Sequence, residues 1–274
     1  MTIGRRLMFA LLMLMGAGLG SLALADPLSD LYQAKAIVTG TGETNRELGF
    51  RKCLDDVLLR VSGDQRLLSR REMPALRDRA GSFVAEFRYR DRLEGRPVRD
   101  EQGTHDRPHD LTCLYKPETV DAVLKSLGSR PWLDKRPKLV VLLGVKNAKG
   151  SYVLASDEAS GRYMQESLLA AAQLPSLSIA IPPRALLARD KFDFNALQGA
   201  GIKDLDTIAI TADGDQALAG SLTWSDKDLG WVAEWRLAVK GKVWRWGARG
   251  ISFDDAFRLA MRGAAQILSG NGQP

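Results

Sequence analysis

The residues able to do chemistry in this 274-residue chain are few. Cys53 and Cys113 are its only thiols, and His105 and His109 its only imidazoles. A Ser-His-Asp or Cys-His centre would have to draw on one of those two histidines. Neither a Gly-x-Ser-x-Gly elbow nor a Ser-x-x-Lys motif occurs. His105 and His109 lie one helical turn apart, with Asp106 and Asp110 beside them. Pro108 opposes a helix there, and a zinc site needs three or four convergent ligands. Gly40-Thr41-Gly42 is placed like the opening of a dinucleotide loop, but Asn45 stands where the third glycine belongs, which leaves a tight strand-to-helix turn. Asp213-Gly214-Asp215 starts like a calcium loop and lacks the glutamate at the twelfth position, so it reads as a hairpin turn. The sequence therefore assigns no catalytic, cofactor-binding or metal-binding residue. A carboxylate pair of the glycosidase kind stays open, because such a pair is defined in space.

The cysteines point instead to a disulfide. Phe50, Cys53, Leu54, Val57, Leu58 and Val61 recur at the spacing of one helix face. Leu111, Cys113 and Tyr115 alternate with Thr112 and Leu114 as one face of a strand. A helix packed on that strand would bring the two sulfurs together. Disulfides persist in oxidising compartments, and the N-terminus agrees. Arg5-Arg6 precedes an uncharged stretch from Leu7 to Leu24, which ends in Ala23-Leu24-Ala25. Residues 1–25 are thus expected to be a secretory signal peptide cut between Ala25 and Asp26, with retention as an anchor the alternative. Removing Arg5 and Arg6 lowers the formal charge from +6 to +4, too mild a bias to name a partner. The expected location is the periplasm, with no transmembrane segment in the mature chain and no nucleic acid as partner.

Tryptophan is concentrated late in the chain. Trp231 and Trp235 share one face of a predicted strand with Leu237 and Val239, and Trp244 and Trp246 share one face of the next. These four indoles are either a core covered by the last helix or an exposed platform for sugar rings.

Around these residues the pattern predicts an α/β (α+β) fold of two units. Residues 26–129 form the first, with a strand over 31–38, a helix over 43–61 closed by Gly63, a helical stripe from Met73 to Phe87, an extended stretch from Phe87 to Leu93, a polar loop from Gly95 to His109, a strand over 110–115 and a helix from Pro117. Ser69-x-x-Glu72 reads as a capping box. Residues 130–137 are a connector. The second unit, 138–270, opens with a strand over 138–145, apolar throughout and so buried on both faces. A helix over 156–173, a short strand over 178–181 and a short helix over 194–198 follow. The spans 207–212, 217–224, 231–239 and 242–247 read as a meander of strands, and a helix capped by Ser252 closes the chain.

Ala34-Lys35-Ala36-Ile37-Val38, Val57-Leu58-Leu59-Arg60-Val61-Ser62-Gly63-Asp64, Arg136-Pro137-Lys138-Leu139-Val140-Val141-Leu142-Leu143 and the later strand and Trp-containing meander from Asp206 to Trp235 together resemble the bacterial "domain of unknown function 2066" proteins. That resemblance implies an exported envelope protein and no particular activity. The expected role is a non-enzymatic binding or scaffolding module without cofactor, its partner an envelope protein, glycan or lipid. The alternatives are a carboxylate-based enzyme acting on envelope glycan and a sugar-binding platform on the Trp face.

Overall fold

The computed structural model describes residues 30–95 and 106–274. The proposed cleavage site at Ala25 and Asp26, and His105, lie outside the described residues. The architecture is α+β, with two sheets that each carry their own apolar core.

β1 (Gln33–Thr39) turns through Gly40-Thr41-Gly42 into helix α1 (Glu43–Ser62). The predicted helix through Phe87 is not formed. α2 (Met73–Asp78) is short, a 3-10 turn spans Ala80–Phe83, and β2 (Val84–Asp91) follows. Pairing with β3 (Pro108–Tyr115) supplies the backbone partners of β2, and its Phe87 and Tyr89 pack on the α1 side of the sheet. The capping box is also absent: Glu72 is the N-cap of α2 and makes no side-chain cap, whereas Asp64 caps the preceding 3-10 turn through Arg66 N. α3 (Pro117–Ser126) ends this part. The sheet order is β1-β3-β2, all antiparallel. Its inner face, with Ala34, Ala36, Val38, Leu111, Cys113 and Tyr115, meets Phe50, Cys53, Leu54, Val57 and Val61 of α1. The Cys53–Cys113 disulfide joins helix to central strand, with Cα atoms 6.3 Å apart.

β4 (Leu139–Asn147) is buried from Leu139 to Val145, as its unbroken apolar run predicts. β5 (Gly150–Val153) returns beside it. α4 (Arg162–Gln173) begins later than predicted, behind a 3-10 turn. β6 (Ile179–Ala180), α5 (Arg184–Arg189), α6 (Phe194–Gly199) and α7 (Ile202–Thr211) come next. The strand expected over 207–212 is part of α7. Leu205, Ile208 and Ala209 are buried at helical spacing while Ile210 is exposed, so the apolar run belongs to one side of a helix. Asp213-Gly214-Asp215 accordingly turns a helix into a strand and does not close a hairpin. β7 (Gln216–Ser225), β8 (Gly230–Val239) and β9 (Lys242–Ile251) form the meander, and α8 (Phe253–Leu268) starts at Ser252, whose hydroxyl accepts from Asp255 N. The order is β5-β4-β7-β8-β9, with β6 beside β4; β4 runs parallel to β6 and β7, and the remaining pairs are antiparallel.

The two faces of this second sheet are covered unequally. α4 and α8 lie over one face and bury residues of β4, β7, β8 and β9. The short helices α5, α6 and α7 cover the other face only over β4, β5 and β7. Among the described residues, no helix covers the outer half of this face, on β8 and β9.

The two sheets meet along a seam at the end of α1. Gly63 has φ 70° and caps α1 in the left-handed conformation, its N–H donating to Leu59 O at 2.8 Å. A Cβ there would stand 2.7 Å from Ser269 Oγ, so only glycine allows both the cap and the contact with the α8 end. Val61 O accepts from Trp132 N at 2.7 Å and Ser62 O from Asn271 Nδ2 at 2.9 Å. Arg60 donates to Leu174 O at 3.1 Å, Gln33 O at 2.8 Å and Asp30 O at 3.2 Å. Arg136 donates to Arg60 O at 2.6 Å and to Pro175 O, and stacks on Trp132 with its guanidinium carbon 4.3 Å from the ring centroid.

Candidate functional site: an arginine groove on the second sheet

The four indoles singled out from the sequence stand on the covered face. Trp235 and Trp246 are 2% and 9% exposed beneath α8. Trp235 meets Phe257 edge-on, and Trp246 Nε1 donates to Leu259 O at 3.2 Å. Trp231 and Trp244 pack partly buried against the same core, and Lys242 Nζ caps the Trp244 ring. A sugar cannot stack on rings held under a helix, so Trp235 and Trp246 belong to the core, while Trp231 and Trp244 keep part of their surface exposed. The disulfide is present and ties α1 to β3, the central strand of the first sheet. His109 Nδ1 lies 2.7 Å from Arg107 O, and no group of three or more metal-ligating side chains is found among the described residues.

The other face of the same strands carries the site. Strand alternation sends the neighbours of the tryptophans there: Ser221 of β7, Val232, Glu234 and Arg236 of β8, and Arg245, Gly247 and Arg249 of β9. They line a groove of about 430 Å³, with Gln198 of α6 at its side. Register fixes the arrangement across the strands. Arg236 stands directly opposite Arg245, and Glu234 stands between Ser221 and Gly247. A Cβ on Gly247 would lie 2.2 Å from Ala233 O, so the strand can pass there only with glycine; Glu234 has no side chain directly opposite it on β9, although its charge still acts on Arg249.

The four charges of the groove differ in what holds them. Arg236 donates to Ala200 O at 2.9 Å and to Leu197 O, which ties the groove to α6 and the start of α7. Burial, and then the charge of Arg245, push the Arg236 guanidinium down from its ordinary value. Arg249 is paired with Asp228, its Nε and Nη2 each donating to one carboxylate oxygen at 3.3 Å. The Ser225 hydroxyl and then Arg249 hold Asp228 below the usual carboxylate range. Among the described residues, the Arg245 guanidinium and the Glu234 carboxylate have no hydrogen-bond or ion-pair partner.

Larger grooves exist elsewhere, but their charges are mostly satisfied. Around Phe50 and Phe87, a groove of about 520 Å³ has Arg46 near Glu43 and over Phe87, Arg51 on Asp78, Arg77 on Asp55 and Arg79 over Phe83. Beside β5, Arg184 is held by Glu158. Sequence reading missed the groove on β8 and β9 because the tryptophans drew attention to the opposite face. The signal was available in Glu234-x-Arg236 and Arg245-x-Gly247-x-Arg249, alternate polar positions in strands whose other positions are aromatic.

Residues 25–133 match the family model of a domain of unknown function, DUF8605. No curated protein matches the chain. The resemblance to the 2066 family is overturned by this match. Val57 to Asp64, one of the segments that carried that resemblance, is the glycine-capped end of α1, whose Val61 and Ser62 carbonyls accept hydrogen bonds at the seam. The matched segment covers the first sheet and stops at the seam; the groove lies beyond it.

Proposed function

We propose that this chain is an exported envelope protein that acts by binding, and that the groove over β8 and β9 is its binding surface. One observation carries the reading: Arg245 and Glu234 stand unpaired over a sheet face that the helices leave open, while the charges around Arg60 and Arg136 are satisfied internally. Both side chains are exposed to solvent, so a ligand seated on this face can exchange their water for charge-assisted hydrogen bonds without first breaking an internal ion pair. Export is supported by the basic-apolar-small pattern of residues 1–25 and by a disulfide that a reducing cytosol would not maintain. No helix among the described residues is long and apolar enough to cross a membrane, so a binding role in the periplasm needs no further anchor within them. The glycosidase-type reading is weaker at this site, because Glu234 is the single carboxylate lining the groove.

Expression with the native N-terminus, followed by fractionation and intact mass measurement without reductant, tests the export half. The expected species begins at Asp26, sits in the periplasm and gains two hydrogens on reduction; a cytoplasmic chain that keeps residues 1–25 overturns it. For the binding half, a photo-crosslinking side chain at Ser221 is expected to capture an envelope component in intact cells, and one at exposed Ile210 is not. Equal labelling at both positions, or none at Ser221, counts against the groove.

A further inference from the structure

The groove also indicates what class of ligand it takes, an inference that rests on the binding reading above. Arg236 and Arg245 occupy directly opposed positions on neighbouring antiparallel strands. Like charges so placed repel, and a fold under no other demand separates them or sets a carboxylate between them. Here no carboxylate stands between them. The carbonyls of Leu197 and Ala200 hold Arg236 toward α6, and Arg245 stays exposed on its other side, near enough for its charge to act on Arg236. Asp228, the nearest acid toward the strand end, is engaged by Arg249 and Ser225. Glu234 is on the same strand as Arg236 and the same face, yet forms no ion pair with either arginine.

We infer that the groove binds an oxyanion, a carboxylate or phosphate group, between the guanidiniums of Arg236 and Arg245, on a ligand whose hydroxyl groups reach Glu234 and Ser221. A guanidinium offers a planar fork of donors that matches both oxyanions. The anion removes the repulsion between the two arginines. Glu234 can only accept hydrogen bonds when ionised, so it selects a donor on the ligand and repels a second negative charge. Ser221, nearly buried on the groove floor, can donate or accept. A groove of about 430 Å³ suits one or two sugar-sized rings, so a small hydroxylated acid or sugar phosphate fits, free or as the headgroup of a lipid.

The test uses the mature chain with its disulfide intact. Amide shifts of Ser221, Glu234 and Gly247 are followed by NMR on addition of glucuronate, inorganic phosphate or neutral glucose, and binding to phosphatidylglycerol vesicles is followed by sedimentation. The anions are expected to move these amides, weakening as salt rises, and glucose to bind at least tenfold more weakly. Arg245→Met should lower the anion affinity at least tenfold, with Arg245→Lys intermediate. Soluble anions binding alone identifies a free ligand; vesicle binding that Arg245→Met abolishes identifies a lipid phosphate. Anion shifts at the groove that survive Arg245→Met overturn the inference. Glucose binding as tightly as glucuronate overturns the anion and leaves the binding site standing. Silence of the groove amides toward every probe overturns both.

Discussion

Two pairs of arginines come together in this protein, one at the seam and one on the second sheet. At the seam, Arg60 and Arg136 are the tie between the two sheets: Arg60 reaches carbonyls on both sides, and Arg136 reaches the backbone of Arg60 itself. Burial, with Arg60 beside it, pushes Arg136 down to about 10, still charged at neutral pH. Both arginines donate to backbone carbonyls inside the fold, and Asp56 on α1 and Asp30 add favourable charge around Arg60. On the second sheet, Arg236 is half used and Arg245 not at all. The same side chain thus closes a structure in one place and leaves one open in the other. What distinguishes them is the supply of carbonyls. Helix ends and the irregular segment around Leu174 and Pro175 present unpaired backbone oxygens to the seam, whereas the strands of the groove spend theirs on each other.

Stability measurements should reproduce that division. The largest effect is expected for Arg136→Met, which keeps most of the side-chain volume but strands the carbonyls of Arg60 and Pro175; a loss of about 2–3 kcal/mol in urea unfolding is the expected outcome. If Arg136→Met unfolds like the parent, the seam is not held by its arginines and the contrast fails.

Asp56 sharpens the seam side through pH. It is buried, and that burial raises its carboxyl above 3.8 despite the Lys52 ammonium, with Arg262 also lowering it and Asp55 adding to the rise. A carboxyl raised in the folded state favours folding below its unfolded value, and that contribution is lost as pH rises through the folded value. The stability of Asp56→Asn relative to the parent should therefore increase as pH is raised from below 3.8 toward neutrality. Urea midpoints of both proteins across that range check it, and a flat difference would mean that Lys52 and Arg262 fully offset the burial.

The smallest effect belongs to the groove. Arg245→Met should leave stability unchanged or raise it by a few tenths of a kcal/mol, since it removes a directly opposed like charge. A loss comparable to that of Arg136→Met would show Arg245 to be structural and erase the distinction.

Much of this geometry can be read in the residues. The helix from Glu43, its glycine stop and the facing strand with Cys113 are set by local periodicity, and two cysteines on apolar faces leave few other arrangements. Even the opposition of Arg236 and Arg245 is implied by the turn: Lys240 and Gly241 both take positive φ, the two-residue connection that locks the register of β8 against β9. The segment around Thr207 was not legible, because a short apolar run of helix and of strand look alike until burial chooses between them. After α2 the extended stretch was legible from Phe87 on, but pairing with β3 overrides the helical stripe and starts the strand at Val84.

The sequence by itself determined which residues alternate along β8 and β9, and so that tryptophans and charges occupy opposite faces. It also determined that the two cysteines, on apolar faces of a helix and a strand, were suited to pair. Only the tertiary structure decided which of the two sheet faces the helices cover. α8 carries a continuous apolar stripe long enough to span the indoles, while α5, α6 and α7 are too short to extend beyond β7. The aromatic face became core, and the charged face, with its two opposed arginines, was left open.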